Sequence, residues 1–262
     1  MKKQRVSRVG SKLAKTGVVS RSRVLAAHVP ATRRFGRERL RAMLRRHGMV
    51  YVKPNTGSQG IGILRVDTKR GRYRYRKGMQ SRTFASFGAM YGAMRSFTDG
   101  RRYLVQRGIH TLRRNGRVFD FRVMIQRNPA GRWECTGTAG RVAHPGKIVS
   151  NGSQGGTIYS ANALLRPIAG RAGAKRVQRR MNRLARLTAA QFGRAYPAMN
   201  ELGIDIAVDR RLKPWILEVN TAPDPCPFTK LNDRTAIRRI VRYARAYGRR
   251  YSLTCNKAKR GG

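Results

Sequence analysis

A chain of 262 residues with 59 Lys plus Arg, 11 Asp plus Glu and a formal charge of +48 resembles a basic tail, but 40% hydrophobic and 8% aromatic residues in regular apolar segments exclude that reading and give one large or two small folded domains. Cys135, Cys226 and Cys255 are far apart with no CxxC, and His28, His47, His110 and His144 lack metal-ligand spacing; a disulfide framework and a cysteine zinc site are therefore not expected, Cys135 and Cys226 read as inert, and a reducing compartment is expected. No apolar run approaches the roughly 18–20 residues of a membrane span and Arg21 and Arg23 interrupt any leader, so the expected location is cytoplasmic.

In chain order, residues 1–50 carry 15 Lys or Arg and one acid, Glu38. His28–Thr32 reads as a loop and Arg37–His47 as a short helix ending near Gly48. Val50–Lys53 is a strand stopped by Pro54, followed by the loop Asn55-Thr-Gly-Ser-Gln-Gly-Ile-Gly and a strand over Ile63–Asp67. Arg72–Lys77 alternates Arg and Tyr as an exposed strand does. Phe84, Phe87, Met90, Tyr91, Met94 and Phe97 mark one face of a helix. Tyr103–Gln106 is a strand. Asn115-Gly116 is a hairpin signal that leads into a strand over Arg117–Gln126. Gly131–Arg141 reads as a further strand pair and Ser150–Gly156 as a loop. Lys175–Tyr196 is a long basic amphipathic helix, Glu201–Val208 and Pro214–Val219 are strands about a turn, and Asp233–Tyr251 is a C-terminal helix.

Two stretches carry chemistry. In Tyr51-Val-Lys-Pro-Asn-Thr-Gly-Ser-Gln-Gly-Ile-Gly, a strand delivers Lys53 to a glycine-rich loop whose amides can wrap phosphate oxygens. A P-loop is excluded because the Lys precedes the glycines and a strand follows; an ordinary glycine-rich hairpin is the other reading. The second stretch is Glu201–Asp224, which holds five of the eleven acids. Two adjacent antiparallel strands there set Asp205 beside Glu218, with Asn220 on the same face as Glu218. Two carboxylates and an amide oxygen suit Mg²⁺ sharing its shell with phosphates. The competing reading is a pair of solvated hairpin charges, which the apolar neighbours Ile204, Ile206, Trp215 and Leu217 disfavour. Asp120 is expected to pair with an arginine.

These motifs resemble the ATP-grasp superfamily, and within it the spore-coat-associated YheC/YheD group. The resemblance rests on YVKPNTGSQGIGILRV, YLVQRGI, FDFRVMIQRNPAGRWECTG, GRV at Gly140–Val142, IVSNGSQGG and ELGIDIAVDRRLKPWILEVNTAP, in order over about residues 50–225. It implies an α+β, ATP-grasp fold: two lobes with nucleotide bound between antiparallel sheets. It implies that Lys53 contacts the ATP phosphates, with Gly57, Ser58 and Gly60 in the lid over them. Val105, Gln106, Arg107, Gly108 and Ile109 would form the adenine hinge, Gln106 standing where many relatives have Glu. Asn151 would lie in a loop near the phosphates. Arg122 and Arg141 would stabilise the transferring phosphoryl group, and Asp205, Glu218 and Asn220 would hold one or two Mg²⁺. There are departures. Only about 50 residues precede Lys53, too few for the Rossmann-like domain of many relatives. Lys12 and Lys15 are the candidates for a second, upstream phosphate-binding lysine, and no ribose-binding acid follows the hinge at His110-Thr-Leu-Arg-Arg.

The expected organisation is a basic N-terminal segment at 1–45, a small lobe at 46–108 and a large lobe with the metal site at 109–262. The function implied is an ATP- and Mg²⁺-dependent carboxylate–amine (or thiol) ligase working through an acyl phosphate on an unidentified acid and amine. The alternative is a non-catalytic nucleotide- or polyanion-binding, spore-associated protein on the same scaffold. The basic surface, the Lys175–Tyr196 helix included, gives non-specific polyanion binding as an expected property, and the resemblance adds a spore or forespore association to the cytoplasmic location.

Overall fold

A computed structural model describes residues 8–57, 59–98, 100–150, 155–256 and 258–261. The chain begins with α1 (Lys12–Ser20) and α2 (Arg23–Ala26), each started by a serine whose Oγ accepts an amide of the first turn, Ser11 from Ala14 and Ser22 from Leu25. Next come β1 (Thr32–Arg34) and α3 (Arg37–His47), which ends on Gly48 at φ 67°, a left-handed conformation that glycine adopts without strain. Then β2 (Met49–Pro54), β3 (Leu64–Lys69), β4 (Arg72–Lys77), β5 (Gln80–Phe84), α4 (Phe87–Thr98) and β6 (Tyr103–Arg107) complete a first unit. Its six strands form an antiparallel sheet in the order β1-β6-β2-β3-β4-β5. Leu40 and Leu44 of α3 and Met90 and Met94 of α4 pack on Val50, Val52, Leu64, Val66 and Tyr75. Tyr75 is buried and Arg72 alone of β4 is fully exposed, so the strand is half-covered rather than the exposed one its alternation of Arg and Tyr suggests.

The second unit comprises β7 (Arg113–Arg114), β8 (Arg117–Arg127), β9 (Trp133–Val142), β10 (Thr157–Ser160), α5 (Ala161–Ala195), β11 (Glu201–Val208), β12 (Pro214–Asn220), α6 (Cys226–Thr229), α7 (Thr235–Ala246) and β13 (Lys259–Arg260). Asn115 and Gly116, at φ 47° and 73°, make the tight turn between β7 and β8. The sheet order is β12-β11-β8-β9-β10-β13. Side chains alternate between its faces. Phe121, Val123 and Ile125 of β8, with Leu202, Ile204 and Ile206 of β11, meet Val177, Met181, Leu184 and Phe192 of α5. Met124 and Ala139 lie on the opposite face against Phe228, Ile237 and Ile240 of α6 and α7.

Several features depart from the pattern read off the sequence. Gly131–Arg141 is not a strand pair: β9 is one strand, paired to β8 over Phe119–Arg127. The basic helix begins at Ala161 and kinks at Gly170 (φ 65°). Residues 8–45 are shared between the two cores, Val18, Val19 and Leu25 entering the second and Leu40, Met43 and Leu44 the first; their basic composition masks an amphipathic pattern. Finally, Cys226 is not inert. It forms a disulfide with Cys255, the Cα atoms 5.3 Å apart. The fold lays the C-terminal strap across α6, with Cys255 in the cluster of Phe228, Ile237 and Ile240 and β13 parallel to β10, a proximity that a 29-residue separation conceals. The cysteine spacing therefore no longer supports a reducing compartment. Cys135 is free and half-buried, its thiol pushed up to about 11 by burial.

Candidate functional site

A cavity of about 340 Å³ lies between the two sheets. From the first sheet, β2 pairs Lys53 with Leu104 of β6, and Pro54 ends the strand at the glycine loop. The Lys53 ammonium is buried; it donates to Gln106 Oε1 at 2.9 Å and reaches the carbonyl of Leu217 in the second sheet at 3.3 Å. Gln106 in turn donates to Thr32 Oγ1 at 3.0 Å, so a chain of side chains aims Lys53. Burial pulls the Lys53 pKa down to about 8; Glu218 offsets part of this, and the neighbouring Lys12 and Lys15 add to it. Gly57 lines the cavity at φ 87°, Gly60 lies beside it at φ 74°, and at Gly62 (φ 75°) a Cβ would press on Pro54 and Tyr103.

The loop is anchored from the N-terminal side. The Lys12 ammonium donates to Gly57 O at 2.7 Å, and the amide of Leu13 donates to Asn55 Oδ1 at 3.0 Å. Lys12 and Lys15 are both buried and lie 3.8 and 3.5 Å from Glu218. Burial lowers the Lys15 pKa, with Glu218 opposing.

The second sheet supplies an alternating charge lattice. Asp205 of β11 is flanked in register by Arg122 of β8 and Glu218 of β12, and Asp120 of β8 faces Arg141 of β9. Arg122 grips Asp205 with Nε–Oδ1 at 2.6 Å, and Arg141 bonds Asp120 at 2.6 and 2.8 Å while reaching Asp205 Oδ1 at 3.1 Å. Burial would push the Asp205 pKa up, but Arg122 and Arg141 hold it well below the usual carboxylate range; Arg141 is itself held protonated by Asp120 and Asp205 against its burial. The placement of Glu218 depends on a β-bulge. Ile206 pairs with Ile216, yet Asp205 pairs with Glu218, so Leu217 is the extra residue. A regular strand would put Leu217 opposite Asp205 and turn Glu218 toward α5. The bulge instead brings Glu218 and Asn220 to the cavity face, and it exposes the Leu217 carbonyl that Lys53 uses.

Among the described residues no group of three or more His, Cys, Asp and Glu converges as a metal cage. The set Asp205, Glu218 and Asn220 is nonetheless an all-oxygen donor set lining one cavity, which fits a magnesium ion that takes the rest of its shell from water and phosphate. Asp205 already carries two arginines and accepts from Asn220 Nδ2 at 3.4 Å. Among the described residues Glu218 is held by the longer contacts to Lys12 and Lys15, which makes it the more available ligand.

In the hinge segment, Gln106, Arg107 and Ile109 line the cavity while Val105 is in the core. The amides of Arg107 and Gly108 are donated inward to Ala31 and Met49; a Cβ on Gly108 would collide with Met49, so the close approach requires glycine. Ser58 and Asn151 lie outside the described residues. The sequence reading missed Thr32 and the Gln106 side chain as supports of Lys53, and Arg8, Asp224 and Cys226 as cavity lining. No local motif marks Thr32 or Arg8; Asp224 and Cys226 directly follow the Glu-Val-Asn strand, which is a signal of position.

Residues 6–250 match the family model described as YheC/D like ATP-grasp. The endospore coat-associated protein YheD of Bacillus subtilis (strain 168) is 27% identical over 214 residues, covering 74% of this chain and 45% of that protein. The endospore coat-associated protein YheC of the same organism is 22% identical over 208 residues, covering 76% and 56%. The chain thus spans about half the length of the curated relatives it matches. Among solved structures, N5-carboxyaminoimidazole synthase from Aspergillus clavatus, in complex with ADP and 5-aminoimidazole ribonucleotide, superposes with a TM-score of 0.54 at 10% identity, covering 98% of this chain and 56% of that one. At that identity the likeness is one of fold: α+β, with the two-sheet ATP-grasp architecture.

Proposed function

The chain belongs to the YheC/D-like ATP-grasp family, and from that premise we propose that it is an ATP- and magnesium-dependent ligase joining a carboxylic acid to an amine or a thiol. One observation carries this reading: a buried lysine from one sheet and an arginine–carboxylate lattice from the other face the same cavity. That arrangement suits a polyphosphate held between the sheets, and the ADP complex of the structural neighbour supports it. In this reading Lys53, helped by Lys12, binds the ATP phosphates, with Gly57, Ser58, Gly60 and Asn151 near them and residues 105–109 along the adenine.

Asp205, Glu218 and Asn220 would hold Mg²⁺, which when bound offsets phosphate charge. Arg122 and Arg141, fixed by Asp205 and Asp120, need no reorganisation to stabilise charge on the γ-phosphoryl group. The γ-phosphorus bond to the ADP oxygen breaks as a bond to the acid's carboxylate oxygen forms. The amine nitrogen then bonds to the acyl carbon, phosphate leaves, and the nitrogen loses its proton to phosphate or water. The coat association of the two relatives supports a place in or around the forespore.

The test is a screen of acids and amines for stimulated release of ADP and phosphate. Asp205→Asn and Glu218→Gln are each expected to abolish stimulated release; full turnover in both variants overturns the assignment.

A further inference from the structure

The +48 charge is far more than the cavity uses, and it is not evenly spread. Helix α5 holds no Asp or Glu in 35 residues. Over residues 171–186 eight residues are exposed, and seven of them are cations: Arg171, Lys175, Arg176, Arg179, Arg180, Arg183 and Arg186, with Ala172 the exception. Among the described residues no carboxylate lies within ion-pair distance of any of the seven. At 100° per residue they fan over half the helix, one row running through Arg171, Lys175 and Arg179 and another through Arg176, Arg180 and Arg183. Fifteen residues at 1.5 Å span about 22 Å, over which each strand of B-form DNA carries about six phosphates.

We propose that this outward face of α5 docks double-stranded DNA through its phosphate backbone. The face has no exposed aromatic side chain on which unpaired bases could stack, which disfavours single strands. Its uncharged polar side chains, Gln178 and Asn182, are only half-exposed and Gln178 is held by Asn162, which leaves little to contact ribose 2′-hydroxyls and disfavours duplex RNA. Its inner side packs on the sheet face opposite the cavity, so DNA and nucleotide bind independently. The proposal does not rest on the ligase reading.

The test measures binding of the full chain to a 20-base-pair DNA duplex by fluorescence anisotropy across a salt series. The variant R176Q/R179Q/R180Q/R183Q is compared with R39Q/R41Q/R45Q/R46Q, which removes the same charge from exposed arginines of α3. The α5 variant is expected to lose about 3–4 from the slope of log affinity against log salt and about 10–100-fold in affinity near physiological salt. The α3 variant is expected to change less than threefold. The lysine version of the α5 variant retains the slope, which separates lost charge from lost folding, and Mg-ATP leaves the affinity unchanged. Equal losses in both glutamine variants show attraction by net charge alone and overturn the proposal. A lysine version as weak as the glutamine one, or equally tight binding of single-stranded DNA, duplex RNA or polyglutamate of matched charge, overturns it as well.

Discussion

Lys53 and Arg141 face one cavity from opposite sheets; burial works against the charge of both, and their partners send them opposite ways. On the first sheet Lys53 has neutral partners, Gln106 and the Leu217 carbonyl, with Glu218 beyond; its pKa falls to about 8. On the second sheet Arg141 lies between Asp120 and Asp205, and these keep it charged. The first sheet presents a cation whose charge is easily lost. The second presents a self-neutralised lattice that is rigid before any ligand arrives.

The sharpest way to break this contrast is to remove one cation from each side. Arg141→Met leaves Asp120 without its partner and Asp205 with one fewer, both in a buried lattice. A loss of about 3–5 kcal/mol is expected in urea unfolding at pH 7. Lys53→Met should act in the opposite direction. Because the folded pKa of Lys53 lies below its unfolded value of 10.5, wild-type stability carries the burial penalty in full below pH 8 and regains it as pH rises from about 8 to 10.5. The methionine variant should therefore be more stable than wild type below pH 8, by up to about 3 kcal/mol. That advantage should vanish by pH 10.5; a gap that does not depend on pH would show that Lys53 is not a depressed lysine.

The smallest effect lies in ligand affinity. With Lys53 on the nucleotide phosphates as proposed, affinity measured calorimetrically should hold to about pH 8 and then weaken about tenfold per pH unit. Lys53→Arg, which stays protonated, should flatten that profile even if it binds more weakly at pH 7.

What was legible in the sequence follows the same division. Pro54 and the glycines marked the end of β2, Asn115-Gly116 marked the β7–β8 turn, and the crowding of acids over Glu201–Asp224 marked the second sheet's contribution. These are local signals, and the structure carries each of them. The pairing of Asp205 with Glu218 was also expected, but its cause was not. A two-residue repeat run back from Pro214 opposite Val208 puts Leu217 against Asp205, and only the bulge moves Glu218 into place. Bulges, like the Cys226–Cys255 bridge and the Thr32–Gln106–Lys53 chain, are set by contacts between distant segments. A single sequence read locally carries little trace of them. The N-terminal helices were hidden for another reason: they are short, and Lys12, Lys15, Arg21 and Arg23 dominate a stretch whose buried apolar positions are few, Val18, Val19 and Leu25.

The way β1 and β6 lie side by side has a mechanical consequence. The chain enters the first sheet at β1 and leaves it at β6, and these strands pair directly, with Thr32 opposite Gln106 and the Arg107 amide on Ala31. Two adjacent connections therefore join the halves of the molecule, as two pins join a door to its frame. Such a joint permits swinging about the line through the pins and resists twisting and sideways slip. The glycine loop is tied a third time, through Lys12 of α1 to Asn55 and Gly57, so any widening of the cavity about those pins has to stretch that tie first.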